Sequence, residues 1–179
     1  MPRVLFIAMQ EVEELELVAP MDLLRRAGAE VVLATICEEP HLTGRNGIRI
    51  LPDRSLSDLT DLHAYDALVF PGGPGVKHLR ADQRCSTLAR EAHAQGRLVA
   101  AICAAPTLLL DAGLLPSRRH TAHPSVASEL PGCLPDPVVL DDRVLTSRGA
   151  GTALHFGLAL VRTLFDDPTA EKIARSICA

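Results

Sequence analysis

Cys103 is the residue of this sequence best placed to do chemistry. It lies in Leu98-Val99-Ala100-Ala101-Ile102-Cys103-Ala104-Ala105-Pro106, where an apolar run that reads as a buried strand gives way to a helix. Its neighbours are small and permit a tight turn, so the cysteine sits at a strand-to-helix elbow of the kind that presents a nucleophile. Free N–H groups and the macrodipole at a helix N-terminus favour an anion. A free thiol, with a pKa of about 8.5, is only about 3% thiolate at neutral pH. A thiol at such an elbow is expected to ionise more easily, and a thiolate is both nucleophilic and oxidisable. The competing reading is a buried structural cysteine that packs as a small hydrophobe.

Three further groups could serve such a thiol. Pro71-Gly72-Gly73 follows a short apolar run. Glycines there let backbone N–H groups approach a ligand and supply part of an oxyanion hole, or simply make a tight turn. Glu16 shares a helical face with Pro20, Leu23 and Ala27, so it begins an apolar stripe. A carboxyl in that place is expected to have a raised pKa or a partner. His120 and His123 flank Thr121-Ala122, just before Pro124, and either could act as a base or proton shuttle.

The elements that must hold these groups alternate along the chain. Val4–Met9, Glu30–Ile36, Ala67–Phe70 and Leu98–Ile102 read as strands, with Gly47–Leu51 as a further strand at an edge. Leu15–Arg26, Ser86–Ala94 and Ala104–Ala112 read as helices closed by glycines. Val138–Leu140 and Val144–Thr146 read as a hairpin around Asp141-Asp142-Arg143. Leu154, Leu158, Val161 and Phe165 trace a long helix, and Thr169–Ile177 a short one. The alternation predicts an α/β fold with a mainly parallel sheet and helices on both faces. In such sheets ligands bind beyond the carboxyl ends of the strands. That rule selects Gln10–Glu16, Pro71–Gly75 and Cys103. Hydrophobic residues make up 47% of the chain and aromatics only 3%, so the core must be aliphatic.

Composition narrows the function classes. All 179 residues read as one domain. The net charge is −4 with no Lys/Arg-rich run, which gives no electrostatic footprint for nucleic acid. No apolar run is long enough to span a bilayer, and the N-terminus shows no cleavage site, so a cytoplasmic protein is expected. Five cysteines, none spaced C-x-x-C, argue against a disulfide framework or a zinc site. No metal or other cofactor is expected.

Taken together, these strings resemble the ThiJ/PfpI superfamily, in its deglycase branch, over nearly the whole chain. The resemblance rests on Glu13-Glu14-Leu15-Glu16, Pro20, Arg25-Arg26-Ala27-Gly28, Pro71-Gly72-Gly73 and Ala100 to Pro106. Thr121-Ala122-His123-Pro124 and Leu145 to Thr152 complete it. It implies a flavodoxin-like three-layer sandwich and a homodimer. It implies that Cys103 is the reactive cysteine, hydrogen-bonded by a protonated Glu16, with His123 near the pocket. Gly72, Gly73 and Ala104 would lend backbone amides. Arg25 or Arg26 and Arg148 would shape the pocket shell and the dimer interface, and Arg45 is the candidate for a second pocket arginine.

The resemblance implies a cofactor-free glyoxalase or deglycase acting on small dicarbonyls or glycated substrates. A second class shares the same pocket: a redox sensor or chaperone in which Cys103 becomes a sulfinate. An amidase or protease is disfavoured, because Ala104 stands where the peptidase branch carries a histidine.

Overall fold

The computed structural model describes residues 1–179. Five parallel strands carry the site: β1 (Arg3–Ala8), β2 (Glu30–Thr35), β6 (Ala67–Phe70), β7 (Leu98–Ile102) and β9 (Val144–Ser147). Two short strands, β5 (Arg54–Ser55) and β8 (Val138–Asp141), complete a seven-stranded sheet ordered β5-β2-β1-β6-β7-β9-β8. They form its edges, and β8 alone runs antiparallel, against β9. Strands β1, β6 and β7 are almost wholly apolar and buried, as parallel strands covered on both faces must be.

The helices form two groups. Helix α1 (Glu14–Arg26) packs on α5 (Ala153–Leu164), which packs on α6 (Asp167–Ser176). Helices α2 (Val76–Ala81), α3 (Gln83–Ala94) and α4 (Pro106–Asp111) pack on one another. This is the mainly parallel sheet with helices on both faces that the alternation predicts, in the flavodoxin-like arrangement that the resemblance implies. One apolar core of 48 buried residues runs through it.

Three elements differ from their sequence reading. Arg49–Ile50 (β4) does not join the sheet. It pairs only with Leu42–Thr43 (β3), in a separate antiparallel ladder. The buried carboxylate of Glu14 causes this by accepting from Asn46 N–H and Asn46 Nδ2 at 2.8 and 2.9 Å, which ties the β3–β4 turn to α1. Helix α4 starts at Pro106, not Ala104. Proline fits the first helical position, and the turn before it is used by Cys103. On α5 the buried face is Ala153, Phe156, Gly157, Leu160 and Val161, while Leu154 is exposed. Gly157 sets that face: a Cβ there would lie 2.6 Å from Leu23 Cδ1 and 2.9 Å from Pro20 Cα on α1. Hydropathy alone gives a glycine no such weight.

Candidate active site

The backbone at Cys103 is strained. Its φ is +67°, in the left-handed region that a side-chain-bearing residue occupies at a cost. Two hydrogen bonds hold it there. Cys103 N–H donates to the Ser147 carbonyl at 2.9 Å, and the Cys103 carbonyl accepts from His123 N–H at 2.8 Å. The elbow is therefore pinned to the end of β9 on one side and to the His123 segment on the other.

Behind the sulfur lies Glu16, only 1% exposed. Its carboxyl lies beside the Cys103 side chain and is coupled to the thiol, and Oε2 accepts from Gly72 N–H at 3.0 Å. Gly72 has to be glycine. A Cβ there would sit 2.4 Å from Glu16 Oε2 and 2.5 Å from Cys103 Cβ. The N–H groups of Gly73 and Ala104 lie by the Cys103 sulfur and favour its charged form. Gly72 thus differs from its expected role: its amide serves the carboxyl, whereas Gly73 and Ala104 serve the sulfur.

Electrostatics couple the two acids. Burial pushes Glu16 up to about 7, against the opposing pull of the thiol hydrogen bond, and the nearby Glu13 charge adds to the rise. Burial also pushes the Cys103 thiol up to about 12, and the Glu16 carboxylate reinforces this. The elbow alone therefore does not set the thiol's ionisation, because its proton is shared with Glu16. Desolvation outweighs the two amides, and α4 is too short and starts too late to act on the sulfur as a helix terminus. The pair behaves as one unit that releases a proton near pH 7 and keeps the second until about 12. Between those values it carries one negative charge over the carboxyl and the sulfur.

In front of the sulfur is a cavity of about 300 Å³, whose wall includes Cys103, Ala104, His123, Ser125, Arg45, Lys77 and Arg80. His123 Nδ1 accepts from Ser125 N–H at 3.2 Å and contacts Ser125 Oγ at 2.8 Å. Nε2 is the nitrogen left for the cavity. His120 is separate from this site: it is buried, its Nδ1 contacts the Arg118 carbonyl at 2.9 Å, and its Nε2 has no partner.

The arginines expected in the pocket or dimer shell stand away from the cavity. Arg25 lies 3.7 Å from Asp53, Arg26 pairs with Asp22 at 2.7 Å, and exposed Arg148 donates to the Pro135 carbonyl at 3.2 Å. None of the three lines the Cys103 cavity. Arg45 does, brought there by the Glu14-anchored turn, and it lies 3.6 Å from Glu13. Lys77 and Arg80 went unread in the sequence because α2 has only six residues. The spacing of Val76 and Leu79, both buried, was its only signal.

Comparison with known proteins gives one consistent result. The profile of the DJ-1/PfpI family matches residues 2–163. The chain is 35% identical over 173 residues to a Caenorhabditis elegans protein named glutathione-independent glyoxalase DJR-1.2, covering 94% of this chain and 91% of that one. It is also 35% identical over 168 residues to protein DJ-1 homolog A of Arabidopsis thaliana. That match covers 90% of this chain but only 43% of the longer plant protein. Among solved structures, oxidised DJ-1 of Toxoplasma gondii superposes with a TM-score of 0.93 at 31% identity, covering 99% of this chain and 98% of that one.

Proposed function

Because this chain belongs to the DJ-1/PfpI family, we propose that it is a glutathione-independent glyoxalase in which Cys103 attacks small dicarbonyl compounds or the adducts they form on other molecules. The observation that carries this reading is the strained Cys103 elbow, with a buried carboxyl behind the sulfur and an open cavity in front.

The residues fit the steps of such a reaction. Glu16 takes the thiol proton, and the amides of Gly73 and Ala104 favour charge on sulfur. The sulfur bonds to the aldehyde carbon of methylglyoxal, and the former carbonyl oxygen takes a proton to give a hemithioacetal. A base then removes the hydrogen from that carbon, and a proton is returned to the neighbouring carbon through an enediol. His123 lines the cavity, and with Nδ1 accepting from Ser125 N–H its Nε2 carries the proton, which fits the step that returns one. The product is a thioester, and water cleaves it to lactate and the free thiol. The net reaction adds one water to one methylglyoxal. The test is a lactate assay with methylglyoxal and no glutathione on freshly reduced protein. Turnover that survives Cys103→Ala would overturn the reading.

The same two amides favour a second outcome. With a peroxide as oxidant, the thiolate takes one oxygen from each of two peroxide molecules and becomes a sulfinate, releasing two waters when the oxidant is hydrogen peroxide. Mass analysis of Cys103 after limited peroxide exposure tests this.

A homodimer belongs to the proposal. Leu15, Val18, Ile48 and Leu51 are exposed, Leu51 to 77%, on α1 and the β3–β4 turn that Glu14 holds against it. Arg25 borders this patch, lining a groove with Val18 and Leu51. An apolar patch of this kind is a reason for self-association. Sedimentation at micromolar concentration should give twice the chain mass, and a single-chain mass would contradict it. No helix is long and apolar enough to cross a membrane. All five cysteines are free, which supports a reducing, cytoplasmic setting.

A further inference from the structure

The chain is acidic overall, yet the wall of the Cys103 cavity is not. It holds Arg45, Lys77 and Arg80 and not one Asp or Glu. The carboxylates that balance these cations stand outside the wall. Arg80 is fully engaged, with Asp111 at 2.7 Å and Glu129 at 2.8 Å. Arg45 and Lys77 are held far more loosely. Arg45 lies 3.6 Å from Glu13, and Lys77 lies 3.4 Å from Glu11, with both members of the lysine pair at least half exposed. An ion pair exposed on both sides, such as Lys77–Glu11, contributes about 0–1 kcal/mol, so a bound anion could take Lys77 at small cost. The two come from different elements, Arg45 from the β3–β4 turn and Lys77 from α2, and they share one cavity with the thiol.

We propose that this cavity selects electrophiles carrying an anionic group, with Lys77 receiving the anion and Arg45 completing the cationic rim. Under the glyoxalase reading, on which this part rests, the favoured substrates are α-oxoaldehydes that bear a carboxylate. At about 300 Å³ the cavity is larger than a three-carbon dicarbonyl needs and leaves room for the chain that carries the charge. A cleft lined by one sign of charge raises the local concentration of the opposite sign and speeds encounter, an effect that salt weakens. Lys77 would therefore act as a specificity residue, with no part in the chemical steps.

The first test needs no turnover. Cys103 is alkylated with iodoacetate or with iodoacetamide, and the rate at Cys103 is read by peptide mass mapping. In both reactions an S–C bond forms, the C–I bond breaks, iodide leaves and the thiol proton passes to solvent. The rate ratio of iodoacetate to iodoacetamide is compared with that of β-mercaptoethanol. It should be about tenfold higher at Cys103, fall with added salt, persist in Lys77→Arg and drop below the reference in Lys77→Glu. A ratio at or below the reference in the unmodified protein, or one unchanged in Lys77→Glu, overturns the proposal. The second test compares kcat/KM for γ,δ-dioxovalerate and for methylglyoxal, where the ratio should exceed one and fall in Lys77→Glu. If neither compound turns over while the alkylation ratio behaves as expected, the glyoxalase reading fails and anion selection stands. If methylglyoxal turns over while the alkylation ratio sits at the reference, anion selection alone is overturned.

Discussion

Burial raises the proton affinity of two cysteines whose surroundings are opposite. Cys85 on α3 is 0% exposed, and burial pushes its thiol up to about 12. Burial pushes the Cys103 thiol up as well, but there the proton is shared with Glu16. Only Cys103 has a carboxyl beside it, two amides that favour charge on its sulfur and a cavity in front of it. Raised proton affinity alone therefore does not separate a structural thiol from a reactive one. What separates them is a second acid that can exchange the proton, and a path to solvent.

The largest expected difference lies in activity. Cys103→Ala should abolish lactate formation from methylglyoxal. Cys85→Ala should leave it intact and cost roughly 1 kcal/mol of stability, the scale of a small core deletion. Equal loss of turnover in both variants, in protein shown to be folded, would erase the distinction.

Gly72→Ala comes next. Its Cβ would overlap the Glu16 carboxyl and the Cys103 side chain together, so the pair must separate. Turnover should fall about a hundredfold. Chemical denaturation should show a loss of roughly 1–3 kcal/mol, the scale of core overpacking. Near-normal activity would mean that the contact between the two side chains is dispensable.

Glu16 should also mark the pH dependence of stability. Its folded pKa, about 7, lies above the ordinary 4.5, so the native state keeps a proton that the unfolded chain releases. The stabilisation is fully present below about pH 4.5, shrinks as pH rises towards about 7, and is absent above that. The expected loss is roughly 3 kcal/mol across that window. Urea unfolding at several pH values should show this slope in the wild type and not in Glu16→Gln. An identical slope in both would place the Glu16 proton elsewhere.

Much of this was legible in the sequence. Strands Ala67–Phe70 and Leu98–Ile102 fell where their apolar runs end, because buried parallel strands are short and uniformly hydrophobic. Glu16 was legible because a carboxyl on an apolar stripe is conspicuous. The division of labour among the amides of Gly72, Gly73 and Ala104 was not, since it depends on a clearance of a few ångströms between α1 and the elbow. Nor was the raised thiol. The sequence shows a turn before a helix, but the competition between desolvation and two amides is settled only by three-dimensional burial. The basic wall was hidden for a third reason: Arg45 and Lys77 lie 32 residues apart and meet only because Glu14 captures the β3–β4 turn.

The central claim is that the single negative charge of the Cys103–Glu16 pair rests on sulfur when the nucleophile is needed. Thiolate absorbance followed against pH tests it most directly, with the Cys103→Ala trace subtracted. The wild type should show a thiolate signal rising with a midpoint near 7, where the pair releases its first proton. In Glu16→Leu the midpoint should move upward, because a buried thiol has then lost the group that takes its proton. A wild-type signal that appears only near 12, or a midpoint that falls in Glu16→Leu, would put the charge on the carboxylate and contradict the account.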